Sequence, residues 1–130
     1  MSYATVPKEI NDLSHKLIGM AIKVHSALGP GLLESSYKEG LYHEIAKQGY
    51  FVEKEKGLPL VYESVKLDIG YRIDLLVEQQ LVIETKSVET LADIHVAQVL
   101  TYLKLSGCKL GLLMNFNVLR LKDGIKRLVL

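Results

Sequence analysis

The sequence predicts an α/β fold: a central mixed β-sheet flanked by helices. Three observations lead there. Apolar residues recur at helical spacing before Gly49, strand-like runs take over from about Leu58, and a later helical stretch precedes a last set of strands. The element order is two helices, three strands, a helix, then further strands.

Ile10, Leu13, Leu17, Ala21, Val24 and Leu28 recur at steps of three and four, which makes one amphipathic helix. Leu28-Gly29-Pro30 ends it, because glycine tolerates left-handed backbone and proline cannot continue a helix. A second helix is expected to start near Gly31, with Leu33, Tyr37, Leu41 and Ile45 as its inner stripe, and to end at Gly49. Leu58, Leu60 and Tyr62 then alternate, and Pro59 between them points to an edge or a strand end. Segments 65–77 (VKLDIGYRIDLLV) and 81–86 (LVIETK) are dense in β-branched and aliphatic residues, and Glu78-Gln79-Gln80 joins them as a polar turn. A helix from about Leu91 to Leu105 closes at Ser106-Gly107. Leu110 to Phe116 reads as a strand, and Val118–Leu121 with Ile125–Leu130 as a hairpin around Lys122-Asp123-Gly124. No repeat, linker or low-complexity tract interrupts residues 1–130, which read as a single domain.

With 48% hydrophobic and 24% charged residues the chain is not a disordered one. No run approaches the roughly 18 apolar residues of a membrane helix, so no membrane partner is expected. The start, MSYATVPKEI, has no basic-then-apolar signal pattern, and a cytoplasmic location is expected. The single cysteine, Cys108, excludes an internal disulfide and a cysteine-cluster zinc site; beside Leu110 and Leu112 it reads as a reduced, buried thiol. Net charge is +1 but unevenly placed: residues 1–103 sum to −4 and residues 104–130 to +5. That basic end either meets phosphates or forms a solvated rim.

The unusual feature is charge inside apolar strands. Asp74 lies in Ile73-Asp74-Leu75-Leu76-Val77, and Glu84 and Lys86 lie in Val82-Ile83-Glu84-Thr85-Lys86. Strand side chains alternate, so Glu84 and Lys86 share a face. A three-residue turn at 78–80 pairs Val77 with Leu81 and brings Asp74 opposite Glu84. Two facing carboxylates repel, and an apolar setting then demands a proton, a basic partner or a divalent cation; oxygen ligands suit Mg²⁺ or Mn²⁺. The plainer alternative is an ion-pair network of Asp74 with Arg72 or Lys86. On the following helix Gln98 and Tyr102 are four apart, with His95 one turn earlier on the same stripe. That stripe is either a functional surface or the helix's solvent side. Glu34 in the first turn of the second helix also suits the helix dipole.

These residues carry a resemblance. Gly31-Leu32-Leu33-Glu34-Ser35-Ser36-Tyr37 resembles the signature that names the GxxExxY protein family. Asp74 with Glu84-Thr85-Lys86 resembles the core of the PD-(D/E)XK nuclease superfamily, and Gln98-Val99-Leu100-Thr101-Tyr102 the QxxxY element of its recombination-exonuclease branch. The likeness runs from about Leu28 to Arg127, with Ile73 in place of the proline of the literal motif. It implies a restriction-endonuclease-like core and a divalent metal, Mg²⁺ or Mn²⁺, held by Asp74 and Glu84 with the Thr85 carbonyl completing the site. It implies further that Glu34 adds a ligand directly or through water, and that Lys86 orients or deprotonates the attacking water and steadies the phosphate's charge. Gln98 and Tyr102 would position substrate or the polar network of the site. His15, His25, His43 and His95 lack metal-type spacing and read as packing or surface residues.

The function expected is a metal-dependent nuclease that hydrolyses phosphodiester bonds of nucleic acid, DNA first. The alternative is a non-catalytic binding or regulatory module that keeps the nuclease fold. A domain kept only for binding need not retain both acids and the lysine. So small a chain offers little surface to grip a duplex, so a homodimer or a partner protein is expected to supply more.

Overall fold

The first helix buries the middle of the stripe that its spacing prescribes, while Ile10 is half-buried and Leu28 is exposed. In the computed structural model, which describes residues 5–130, α1 (Lys8–Leu28) buries Leu13, Leu17, Met20, Ala21 and Val24. It ends at Gly29, whose φ of 73° and ψ of 176° fall where essentially only glycine is at ease. Residues 1–4, on which the expectation about a targeting segment partly rests, lie outside the described residues. Among the described residues no helix is long and apolar enough to cross a membrane.

The second helix, α2 (Glu34–Lys47), starts three residues later than its sequence suggests. Tyr37, Leu41 and Ile45 are its buried stripe, whereas Leu33 is 77% exposed in the cap position. Extended backbone at Leu33 takes it off the helical stripe. The strands follow: β1 (Val52–Tyr62), β2 (Val65–Val77) and β3 (Leu81–Lys86), then α3 (Asp93–Ser106), β4 (Leu110–Asn115), a 3-10 turn (Leu121–Gly124) and β5 (Ile125–Val129). They form one five-stranded sheet in the order β1-β2-β3-β4-β5. β3 and β4 are parallel, with α3 as their crossover, and every other neighbouring pair is antiparallel.

Helices cover both faces. α1 and α2 pack over Leu75, Val77, Leu81, Ile83, Leu110 and Leu112. On the other face α3 packs over Ile73, Leu76, Val82 and Leu113. Among the described residues the result is a three-helix, mixed-sheet α/β architecture consistent with a restriction-endonuclease-like fold.

The expected hairpin at the C-terminus does not form. Val118–Leu121 is no strand; β5 pairs directly with β4, Leu110 opposite Val129 and Met114 opposite Ile125. The chain leaves the ladder after β4 because side chains take its backbone groups. His25 Nε2 donates to the carbonyls of Phe116 at 3.1 Å and Val118 at 2.8 Å, and Asn115 Oδ1 accepts the Asn117 N–H at 3.2 Å. Leu121 instead enters the core.

Candidate active site

The turn after β2 has the length that the facing-carboxylate argument needs. Val77 pairs with Leu81, Leu76 with Val82 and Leu75 with Ile83. One step further the ladder stops, and it stops at Asp74. On the other side of β2 the partners run from Lys54–Leu75 to Lys56–Ile73 and skip the position between, where Glu55 has a φ of 55°. Asp74 is thus released from regular pairing on both flanks.

Its side chain fills the gap. Asp74 Oδ2 accepts the Thr85 backbone N–H at 2.9 Å and the Thr85 hydroxyl at 2.9 Å, while the Asp74 N–H donates to Glu84 Oε1 at 3.3 Å. A strand residue shows its N–H and C=O on the same edge, so the Thr85 carbonyl also points toward the Asp74 side. The Lys86 carbonyl points the other way and accepts the Phe116 N–H at 2.9 Å. Alternation therefore aims one acceptor, and only every second one, at the carboxylate pair.

Glu84 is 3% exposed. Burial, followed by the charge of Asp74, pushes its carboxyl up to about 8, and nearby Lys86 only partly opposes this. Lys86 Nζ lies 3.6 Å from Glu84 Oε2, so the lysine's acid is Glu84 rather than Asp74, and the simple Asp74 ion pair does not form among the described residues. Glu34, in the first turn of α2, belongs to the same field. Burial raises its carboxyl, Lys86 opposes the rise and Asp74 adds to it.

Two carboxylates and a carbonyl converge here, and they fit a divalent cation. Asp74 Oδ1 takes no hydrogen bond from a described residue, and ionised Glu84 carries a desolvation cost that a neighbouring cation would offset. No group of three or more His, Cys, Asp or Glu among the described residues is gathered tightly enough to hold an ion. Glu34 therefore stands near the pair without completing a three-acid cluster.

The third helix supplies the other side. It sits close on β4 because Gly111 has no side chain; a Cβ there would come within 2.8 Å of Val99 and 3.4 Å of Leu103. On this helix Gln98 Nε2 donates to the Tyr102 hydroxyl at 3.0 Å. Burial, then the Glu84 charge, raises the Tyr102 phenol, which puts Tyr102 within electrostatic reach of the acids. His95 accepts the Ala92 N–H on Nδ1 at 2.9 Å and so caps the start of α3.

Several supporting contacts are not legible in the sequence. Tyr37 stacks on Phe116 and its hydroxyl donates to the Gly29 carbonyl at 2.5 Å while accepting the Leu32 N–H at 3.0 Å. Ser87 Oγ donates to the Leu32 carbonyl at 2.7 Å, and the Asn115 amide takes both the N–H and the carbonyl of Val88. The loop before Glu34 is in this way tied to the residue after Lys86. A lone amide closing the apolar run Leu110–Met114 was the available signal for Asn115; nothing local pointed to Ser87.

Of the other expectations, Cys108 is a buried free thiol, and His25 is a packing residue. His15 and His43 are exposed. The basic residues Lys122, Lys126 and Arg127 fall on the 3-10 turn and on β5, where Arg127 donates to Asn11 Oδ1 at 2.7 Å.

A family model described as the PD-(D/E)XK nuclease superfamily matches residues 11–128, and the chain belongs to that superfamily. No curated protein and no solved structure gives a match.

Proposed function

We propose that this member of the superfamily is a Mg²⁺- or Mn²⁺-dependent nuclease that hydrolyses phosphodiester bonds of nucleic acid, with DNA as the first substrate to test. The observation that carries the reading is a buried glutamate opposite a half-buried aspartate, with a lysine two residues on along the same strand face. Asp74, Glu84 and the Thr85 carbonyl would hold the cation, and Glu34 would reach it through water. When bound, the ion supplies Lewis-acid polarisation of the phosphoryl oxygen and a lowered water pKa.

Lys86 has a different task. A protonated amine cannot ligate a cation, so its useful roles are to orient the attacking water and to donate to a non-bridging phosphate oxygen as charge builds. Gln98 and Tyr102 would fix the substrate from the α3 side. The Gly31–Tyr37 segment supports assignment to the GxxExxY branch, where Tyr37 would serve by holding the loop that presents Glu34. A second copy or a partner protein would widen the grip on a duplex, the basic residues after position 103 would add phosphate contacts, and the cytoplasm is the expected compartment.

The test combines cleavage and binding. Linear, circular and single-stranded DNA should be cut with Mg²⁺ or Mn²⁺ and spared with chelator. Calorimetry should record cation binding by the wild type and none by the Asp74→Asn, Glu84→Gln double variant. Unchanged cation affinity in that variant would overturn the assignment of the pair. No cation-dependent cleavage of any substrate would leave a binding module that keeps the nuclease fold.

A further inference from the structure

Beside the carboxylates, on the α3 face of the sheet, lies a cleft of about 380 Å³ between β2 and α3. Tyr71 forms its β2 wall, and Ile94, His95, Ala97, Gln98 and Tyr102 come from α3. Tyr102 belongs at once to this cleft and to the surroundings of Glu84, and Gln98 is tied to it by the bond to its hydroxyl. Tyr71 lies three residues before Asp74 on the same strand and pairs with Leu58, a member of the core on the α3 side. Tyr71 is 41% and Ile94 71% exposed, so an aromatic ring and a branched aliphatic chain face solvent in a concave place.

The polar groups left over in the cleft suit a flat heterocycle. His95 Nδ1 is occupied by the Ala92 N–H, which leaves Nε2–H as the free donor of the neutral ring. Gln98 uses one N–H on Tyr102 and keeps its carbonyl oxygen and its second N–H. The Tyr102 hydroxyl accepts that bond and keeps its own proton to donate.

We propose that this cleft is a nucleobase subsite, in which one unpaired base next to the phosphate at the acidic pair stacks on Tyr71. The inference rests on the nuclease reading and specifies its substrate: single-stranded or frayed nucleic acid in preference to intact duplex. A paired base is locked in its stack and reaches such a cleft only at the cost of leaving it, whereas a base of a single strand enters freely. The free polar groups include donors and acceptors, so stacking rather than edge reading dominates and sequence preference is weak.

The probe is a fluorescent single-stranded DNA oligonucleotide, compared with a duplex of the same length, titrated with the full chain in Ca²⁺. Wild-type protein should bind the single strand more tightly than the duplex. Tyr71→Ala should weaken single-strand binding about tenfold, the scale of one lost base–aromatic stack, and Tyr71→Phe should restore it. Because the Tyr71 side chain is partly exposed, both variants should melt with the wild type, which a melting curve checks. Equal affinity of wild type and Tyr71→Ala for the single strand overturns the subsite. Cleavage of the same oligonucleotide in Mg²⁺ separates the two readings. Cutting without any Tyr71 dependence of binding removes the subsite and keeps the nuclease; Tyr71-dependent binding without cutting by the wild type removes the nuclease and keeps a base-binding cleft.

Discussion

Glu44 on α2 and Glu84 on β3 are both nearly hidden from solvent, 5% and 3% exposed, yet one carboxyl is held below the ordinary carboxylate range and the other is pushed above it. The Glu44 carboxylate is surrounded by donors: Gln48 Nε2 at 2.7 Å, Lys23 Nζ at 3.1 Å and Lys47 Nζ at 3.3 Å. Those bonds, Gln48 first and Lys23 next, hold it down at about 2 against the cost of burial. Glu84 has a lysine at 3.6 Å, one backbone N–H at 3.3 Å and a second acid beside it, and it rises to about 8. Burial is the largest cause at Glu84, where donors are few, and at Glu44 it is outweighed by the donors around the carboxylate. Between α1 and α2 the protein completes the solvation of its acid. At the end of β3 it leaves that solvation incomplete, which suits a site that takes in a cation and a phosphate.

The largest effect is expected at Lys86. If the β3 end is a reaction centre, Lys86→Ala should lower cleavage by two to four powers of ten, about 3–5 kcal/mol of transition-state stabilisation. Cation and substrate binding should change far less, because the lysine acts chiefly as charge develops. Were Lys86 a structural counter-ion like Lys23, the variant would instead melt early with its residual rate per folded molecule intact. Melting and single-turnover cleavage measured together separate the two roles.

The next effect is on stability, and it distinguishes the two acids by sign. An acid raised in the folded state holds a proton that the unfolded chain has lost. Stability therefore falls as pH rises from the ordinary 4.5 through about 8, and is level beyond that. At pH above 8 and without cation, Glu84→Gln should melt higher than wild type, by roughly 1–3 kcal/mol, the scale of a buried group poorly supplied with partners. Adding Mn²⁺ should stabilise the wild type and leave Glu84→Gln nearly unmoved, because ligand binding stabilises only the form that binds. A variant that melts lower than wild type at that pH would return Glu84 to the class of Glu44.

Much of this was legible in the sequence because it depends on period and turn length. Period-two and period-three-to-four patterning gives the helices and the strands of the sheet, with one strand too many at Val118–Leu121, and the three residues Glu78-Gln79-Gln80 fix the register that brings Asp74 to Glu84. What escaped depends on side chains that act on distant backbone. The turn at 116–120 carries strand-like residues, yet His25, 91 positions before Phe116, takes its carbonyls. The lapse in pairing at Asp74 was equally hidden, since it takes Glu55 on β1 and Thr85 on β3 to produce it. Glu44 stayed unremarked because its donors come from two helices, and only their packing brings Lys23 to it.

The smallest expected effect belongs to Glu44, and its direction completes the comparison. Here the folded carboxyl is lowered from 4.5 to about 2, so the folded state binds its proton less readily than the unfolded chain. The contribution to stability is fully present above pH 4.5 and disappears as pH falls toward 2. Lys23 and Lys47 are both more than half exposed, so solvent screens their attraction and the effect stays modest. Glu44→Gln should accordingly melt somewhat below wild type near neutrality and converge with it near pH 2, whereas Glu84→Gln diverges upward at alkaline pH. Melting curves collected from acid to alkaline pH for both variants test this directly. A constant offset of Glu44→Gln at every pH would mean that its hydrogen bonds, not its charge, hold α1 against α2.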